Sequence, residues 1–314
     1  VIGVSPDLSK TEKMRRTGLL LAAATAVISG ISVFLNGYGV RAWAEISDPT
    51  TYTTLKNTGA AIVLIAVSTV VNRREPGRGF DIGQAREHPG GLLLVALIGG
   101  SIPFVLFFEG LARASSTDAA FIHKTLVVWV AILAVTFLRE RVGLLHVAAI
   151  ALLVWGQAVL AGGVTGIAFG SGEWMIMAAT MLWAVETVVA KRLLAGVTPL
   201  TVAVARMAGG AIALLAYGLW RGAFTGLSGV TAEHVLWIVI TAVTLSAYVA
   251  TWFAALARAQ AVDVTAVLVG GAVITALLEY GIQGSTIPSV GGLAMLIVGV
   301  ALFLVRPPRP ALVP

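Results

Sequence analysis

The sequence predicts an all-α integral membrane protein with ten transmembrane helices, built from two inverted five-helix repeats. Three observations lead there. The chain is apolar beyond what a soluble domain tolerates. Its basic residues collect at alternate ends of its apolar spans. One helix–turn–helix stretch occurs twice, and its two copies fall on opposite sides of the predicted membrane.

Of 314 residues, 58% are hydrophobic and 11% charged, and the mean hydropathy is +0.94. A soluble domain carries roughly 25% charged residues, because it needs polar groups to cover its surface. The 35 glycines suit close helix packing in lipid. A net charge of +6 could suggest a nucleic-acid partner, but the basic residues flank apolar spans, where they orient helices in a bilayer. The expected partner is therefore lipid, not nucleic acid. Cysteine is absent, which excludes a disulfide framework and thiol chemistry. There is no phosphate-loop, zinc-protease or dinucleotide-binding pattern. His88, His123, His146 and His234 share no metal-ligand spacing, so neither a metal, a cofactor nor an enzyme activity is expected.

A helix needs about 20 apolar residues to cross a bilayer. In chain order, segments of that kind lie near 18–40, 53–72, 91–112, 117–138, 143–162, 173–194, 199–220, 234–257, 263–283 and 288–305. Lys10, Lys13, Arg15 and Arg16 precede the first, and Ala42-Trp43-Ala44 resembles a signal-peptidase site. The span is longer than a signal peptide's apolar region, so it is read as a retained helix. Residues 73–90 form a long connector with four arginines, and the fourth and fifth spans meet in a tight turn near Glu140. The resulting organisation is an N-terminal segment 1–17, a first repeat 18–162, a glycine-rich connector 163–172, a second repeat 173–305 and a proline-rich tail 306–314. With the N-terminus inside, 15 Lys and Arg fall on the inner side and 3 on the outer, with Lys56, Lys124 and Arg206 inside spans. That bias predicts a multi-pass protein of the cell inner (plasma) membrane with both termini cytoplasmic.

The turn Leu111-Ala112-Arg113-Ala114, followed by Asp118, recurs as Leu256-Ala257-Arg258-Ala259, followed by Asp263. Five spans thus repeat as five more, and an odd number of spans inverts the second half. Inverted repeats of this kind place a substrate site near the membrane midplane between the halves. Arg113 and Arg258 close helices, where a cation meets the negative end of the dipole. Asp118 and Asp263 open the next helices, where a carboxylate caps free N–H groups.

These residues carry a resemblance. An aromatic residue, Gly-Leu-Ala-x-Ala, a polar turn, an apolar helix and Leu-x-Glu-Arg run from Phe108 to Arg141, and a second copy runs from Trp252 to Gly299 with Gly291 and Gly299 in its closing glycine pattern. The pattern resembles the EamA domain of the drug/metabolite transporter superfamily. The resemblance implies a ten-helix carrier whose cavity is lined mainly by helices 1, 3, 4, 6, 8 and 9, moving small metabolites such as amino acids and sugars. The chain departs from it in helix 4, which has no proline. The pair His123-Lys124 looks like the helix-4 lysine of sugar-phosphate exchangers, but the second repeat has Leu268-Val269 there. The Leu-x-Glu-Arg glutamate also has no acidic counterpart in the second repeat, where Gln283 aligns best.

Ionisable groups inside a bilayer are costly and usually face a cavity or a partner. Lys124, Glu279, Glu186, Arg206 and Glu109 lie within spans. Depth pairs Lys124 with Glu279 or Glu109, and Glu186 with Arg206, the latter as a structural ion pair or a coupling pair. Lys124 is the expected main substrate determinant, with His123 and Asn36 as companions. Trp183, one turn before Glu186, is the best aromatic candidate, and Tyr280, Tyr248, Trp252 and Trp129 are others. The expected activity is secondary or facilitative transport of a small polar metabolite by alternating access, with amino-acid export the leading case and protons a candidate coupling ion. An organic-phosphate or sugar exchanger using Lys124 and Arg206 as anion ligands is the alternative. A membrane-embedded enzyme or receptor is the alternative of another class. The glycine pairs Gly209-Gly210 and Gly270-Gly271 permit packing within one chain or between two, which leaves monomer and homodimer open.

Overall fold

A computed structural model describes residues 8–114, 116–163, 169–224 and 227–305. In order, the helices are α1 (Leu8–Ala44), α2 (Pro49–Arg74), α3 (Ile82–Glu87), α4 (Pro89–Gly100), α5 (Ile102–Leu111), α6 (Ser116–Lys124), α7 (Leu126–Leu138), α8 (Leu144–Leu160), α9 (Ser171–Leu193), α10 (Pro199–Arg221), α11 (Ala232–Leu256), α12 (Ala261–Leu268), α13 (Gly271–Gln283) and α14 (Val290–Val305). The proline-rich tail and residues 164–168 of the glycine-rich connector lie outside the described residues.

Ten apolar segments cross the molecule. Eight are long and apolar enough to span a bilayer, while α8 and α14 have 17 and 16 residues. These two shorter helices pack on each other where Gly156 meets Gly292 and Gly299 meets Leu153. The connector 73–90 is not wholly irregular, because Asp81 caps the short helix α3 through Gln84 N–H.

Three spans are broken, which the apolar pattern did not reveal. The third breaks at Ser101, two residues before Pro103, whose ring removes a helical N–H donor. The fourth breaks at Thr125 and the ninth at Val269-Gly270, residues that correspond when the repeats are aligned 145 apart. The same offset holds at the far ends. Arg139 caps α7 in the left-handed region at φ 55° and Gly284 caps α13 at φ 65°. In each copy the next residue donates its N–H six residues back, Glu140 to Ala134 and Ser285 to Glu279. The residue matching Glu140 is therefore Ser285, not Gln283.

The helix α9 shows that the repeats are inverted. Its start, at Gly172, lies against the first turn at Arg113-Ala114. Its other end reaches the second turn, where Lys191 Nζ donates to Leu256 O and Ala259 O at 2.5 and 2.7 Å. The matching turns thus sit at opposite ends of one membrane-length helix.

The face holding the second turn also gathers both ends of the described chain. Arg15 on α1 pairs with Asp263 at 3.3 Å and donates to Phe303 O at the end of α14. Lys191, Arg192 and Arg139 lie here too, so we term it the basic face. A polar clamp closes it. The Glu140 carboxylate accepts from Ala261 N and Val262 N at 2.7 and 3.0 Å, capping α12 from across the chain. This corrects the reading of Asp263 as that cap. Asp263 sits in the first turn of α12, but its carboxylate takes Arg15 and faces His146 Nε2 at 3.6 Å. The other terminal roles stand closer to expectation. Arg258 donates to Ala254 O at its helix end, Arg113 to Glu109 O, and Asp118 lies in the first turn of α6.

Candidate functional site

The broken spans converge on a central cavity of about 220 Å³. Its walls come from α1, α5, α6, α7, α9, α10, α11 and α12, so the seventh span contributes in addition to the six that the resemblance implied. Toward the basic face the cavity is closed, because α12 packs on α1, α7 and α14 behind the Glu140 clamp. Toward the opposite face, α6 leans chiefly on α9, and α13 on α1.

The kink in the third span builds one wall. Pro103 cannot donate to the carbonyl four residues back, Gly99 O. The Trp183 indole N–H takes that carbonyl at 3.1 Å. Gly99 also leaves room for Glu186, since a side-chain carbon there would fall 2.5 Å from its carboxyl carbon. A backbone defect on α4–α5 thereby fixes both Trp183 and Glu186 on α9. Phe104, one residue past the proline, stands edge-on to Trp183 with centroids 5.5 Å apart.

Glu186 and Arg206 form the expected pair at 3.0 Å, with side chains 4% and 8% exposed. The pair faces the cavity. Arg206 is held by a close crossing of α4 and α10, where Gly100 abuts Arg206 O and Gly210 abuts Gly100. Tyr248 and Trp252 stack at 6.2 Å and 9° on a further wall.

Lys124 also faces this cavity. Among the described residues its ammonium has no hydrogen-bond or ion-pair partner, in contrast to the expected pairing with Glu279 or Glu109. Glu109 is engaged by Arg113 at 2.8 Å and Arg221 at 3.3 Å near the face opposite the basic one. Glu279 and Tyr280 are exposed, as are all of residues 279–287, and neither lines the cavity. His123 lines the cavity with its ring edge-on to Trp183 at 5.0 Å and Phe107 at 5.4 Å, and its buried Nδ1 has no hydrogen-bond partner among the described residues.

Asn36 does not line the cavity. Its Nδ2 donates to Ser32 O at 2.8 Å, and Ser32 is on the cavity wall. Its Oδ1 accepts from Lys56 Nζ at 3.1 Å. Lys56 was counted among the span residues but given no role. Its signal was nonetheless visible, a lysine in the polar run Thr53-Thr54-Leu55-Lys56-Asn57 inside an apolar span. Among the described residues no group of three or more His, Asp or Glu is placed to hold a metal.

A ten-segment inverted repeat around a central cavity that holds ionisable side chains is a transporter architecture. The EamA-like transporter family matches residues 16–162 and 170–306, and the chain belongs to that family. A solved crystal structure, described only as that of a protein, superposes with a TM-score of 0.68 at 20% identity, covering 94% of this chain and 96% of that one. It shares the fold. No curated protein matches the chain in sequence. The chain is thus a multi-pass membrane transporter for a small molecule, working in a lipid bilayer, and its family is a transporter family, not an enzyme family.

Proposed function

We propose that the protein exports a small amino acid or closely related zwitterion across the cytoplasmic membrane by alternating access. The observation that carries this reading is one cavity holding an uncompensated Lys124 and the Glu186–Arg206 pair. A carboxylate of the substrate satisfies Lys124. Its ammonium approaches Glu186, and its side chain rests against Trp183, Tyr248 and Trp252. A buried charge without a partner is costly, so the ligand supplies what the protein lacks. The organic-phosphate alternative requires convergent cations without a carboxylate. Glu186, in contact with Arg206, disfavours it. The basic face is assigned to the cytoplasm, with both termini inside, from the placement of Lys and Arg.

The test is counterflow of labelled amino acids in proteoliposomes. Wild type exchanges at least one, Lys124→Ala reduces exchange at least tenfold, and Lys124→Arg retains part of it. Undiminished exchange by Lys124→Ala sinks the reading.

A further inference from the structure

We infer that Lys56 is a proton-coupling site, protonated while the basic face is closed and deprotonated when it opens. Lys56 is 5% exposed and lies outside the central cavity's lining. Among the described residues its ammonium has one hydrogen-bond acceptor, Asn36 Oδ1, and it lies 5.3 Å from the Tyr52 ring centroid and 5.8 Å from that of Phe108. An ammonium carries three donors, and here only one meets an oxygen. Cation–π attraction to two rings holds the charge in place without an anion. The ligand such an ammonium exchanges is a proton.

The surroundings are otherwise uncharged. The Tyr52 hydroxyl, 3.0 Å from Asn36 Oδ1, is the titratable neighbour on α2 itself. From α11 comes Thr241, 3.2 Å from that hydroxyl. From α5 comes Phe108, while the adjacent Glu109 is engaged by Arg113 and Arg221. From α1 comes Asn36. From α10, Arg206 is paired with Glu186. Among the described residues no carboxylate is paired with Lys56.

Asn36 is also the link to transport. Its amide bonds Ser32 O and lies 3.3 Å from Ser32 Oγ, on the cavity wall. It sits on α1, whereas Lys56 sits on α2, which packs chiefly on α10 and α11. Displacement of α1 as the basic face opens takes away the one acceptor. The ammonium then gives its proton to water, R–NH₃⁺ becoming R–NH₂. Reclosing restores Asn36 and recaptures a proton from the opposite side, so one proton enters as one substrate leaves. This deepens the proposed transport cycle and does not depend on the substrate's identity.

The cysteine-free chain permits a test without substrate. Spin labels on cysteines at Ala120 and Ile282, on the fourth and ninth spans, report their separation in nanodiscs. In wild type, raising the pH shifts the population from long to short distance. Lys56→Arg keeps its charge and holds the long distance, whereas Lys56→Met holds the short one. Lys124→Met, Glu186→Gln and Glu140→Gln still respond to pH. A pH response that persists in Lys56→Met, or none in wild type, overturns the proposal. In proteoliposomes an acid exterior accelerates efflux several-fold for wild type but not for Lys56→Met, while counterflow continues in both. Loss of counterflow for Lys124→Ala is read separately, so the two proposals fail independently.

Discussion

At the residue scale, the buried pair Glu186–Arg206 has two separable roles. Removing one partner leaves a buried charge, a loss of about 3–5 kcal/mol, whereas removing both leaves none. Glu186→Leu and Arg206→Met alone should therefore lower the melting temperature in detergent. The double variant should recover most of that loss. If the pair also receives substrate, the double variant stays inactive in counterflow despite its recovered stability, and full recovery of both means the pair is only a brace. The pair was legible in the sequence because two ionisable groups at one depth in adjacent spans must meet something. Lys124 was legible for the same reason. Glu279 and Asn36 were misplaced because depth does not fix helical phase. In lipid the outside of a helix is as apolar as its inside, so no amphipathic stripe says which way a side chain points. Lys56 shows the converse: Tyr52 stands one turn before it on α2, but Asn36 on α1 and Phe108 on α5 are partners that no spacing along the chain displays.

At the element scale, the breaks do the positioning. The turn between α11 and α12 is held from outside itself, by Lys191 on two carbonyls at the end of α11 and Glu140 on two amides at the start of α12. Local reading assigns the cap to Asp263, the nearest carboxylate, because it cannot see an acceptor 121 residues away. The broken ninth span depends on one crossing. A side-chain carbon at Gly30 would fall 2.5 Å from Gly271 O and 2.6 Å from Ile274 Cβ, so α1 and α13 touch through backbone. Gly30→Leu must push α13 off its principal support. It should lower the melting temperature and abolish counterflow. Gly281→Leu, on the same helix with nothing within 4 Å of its added carbon, should leave both near wild type. Equal damage from the two would mean that α13 takes no part in shaping the cavity.

At the scale of the whole molecule, the inverted repeat lets one conformation describe its opposite. The ten-span count and the inversion were legible from hydropathy and from one repeated turn, but the asymmetry between the faces was not. Exchanging the roles of the repeats would close the face opposite the basic one. The clamp that would hold it can be read by alignment. Glu140 corresponds to Ser285 through the matched caps of α7 and α13. Gly172 contacts the first turn as Gly18 contacts the second, which aligns α9 with α1 and sets Gly37 opposite Lys191. The carboxylate and the cation that grip the second turn are thus replaced by a short hydroxyl and by no side chain. Charge-assisted hydrogen bonds are roughly twice as strong as neutral ones, so the basic-face-closed state holds the advantage. The chain should rest in that state without substrate. Glu140→Ser with Lys191→Gly removes the difference. A cysteine at Thr265, buried on α12 behind the clamp, should then react with an impermeant thiol reagent from the basic face several-fold faster than in the otherwise unaltered chain. Restoring Glu140 alone should recover part of the protection, because its two bonds to α12 do not require Lys191. If the cysteine reacts equally fast with the clamp intact, the resting state is not set by these groups, and the asymmetry of the faces has another origin.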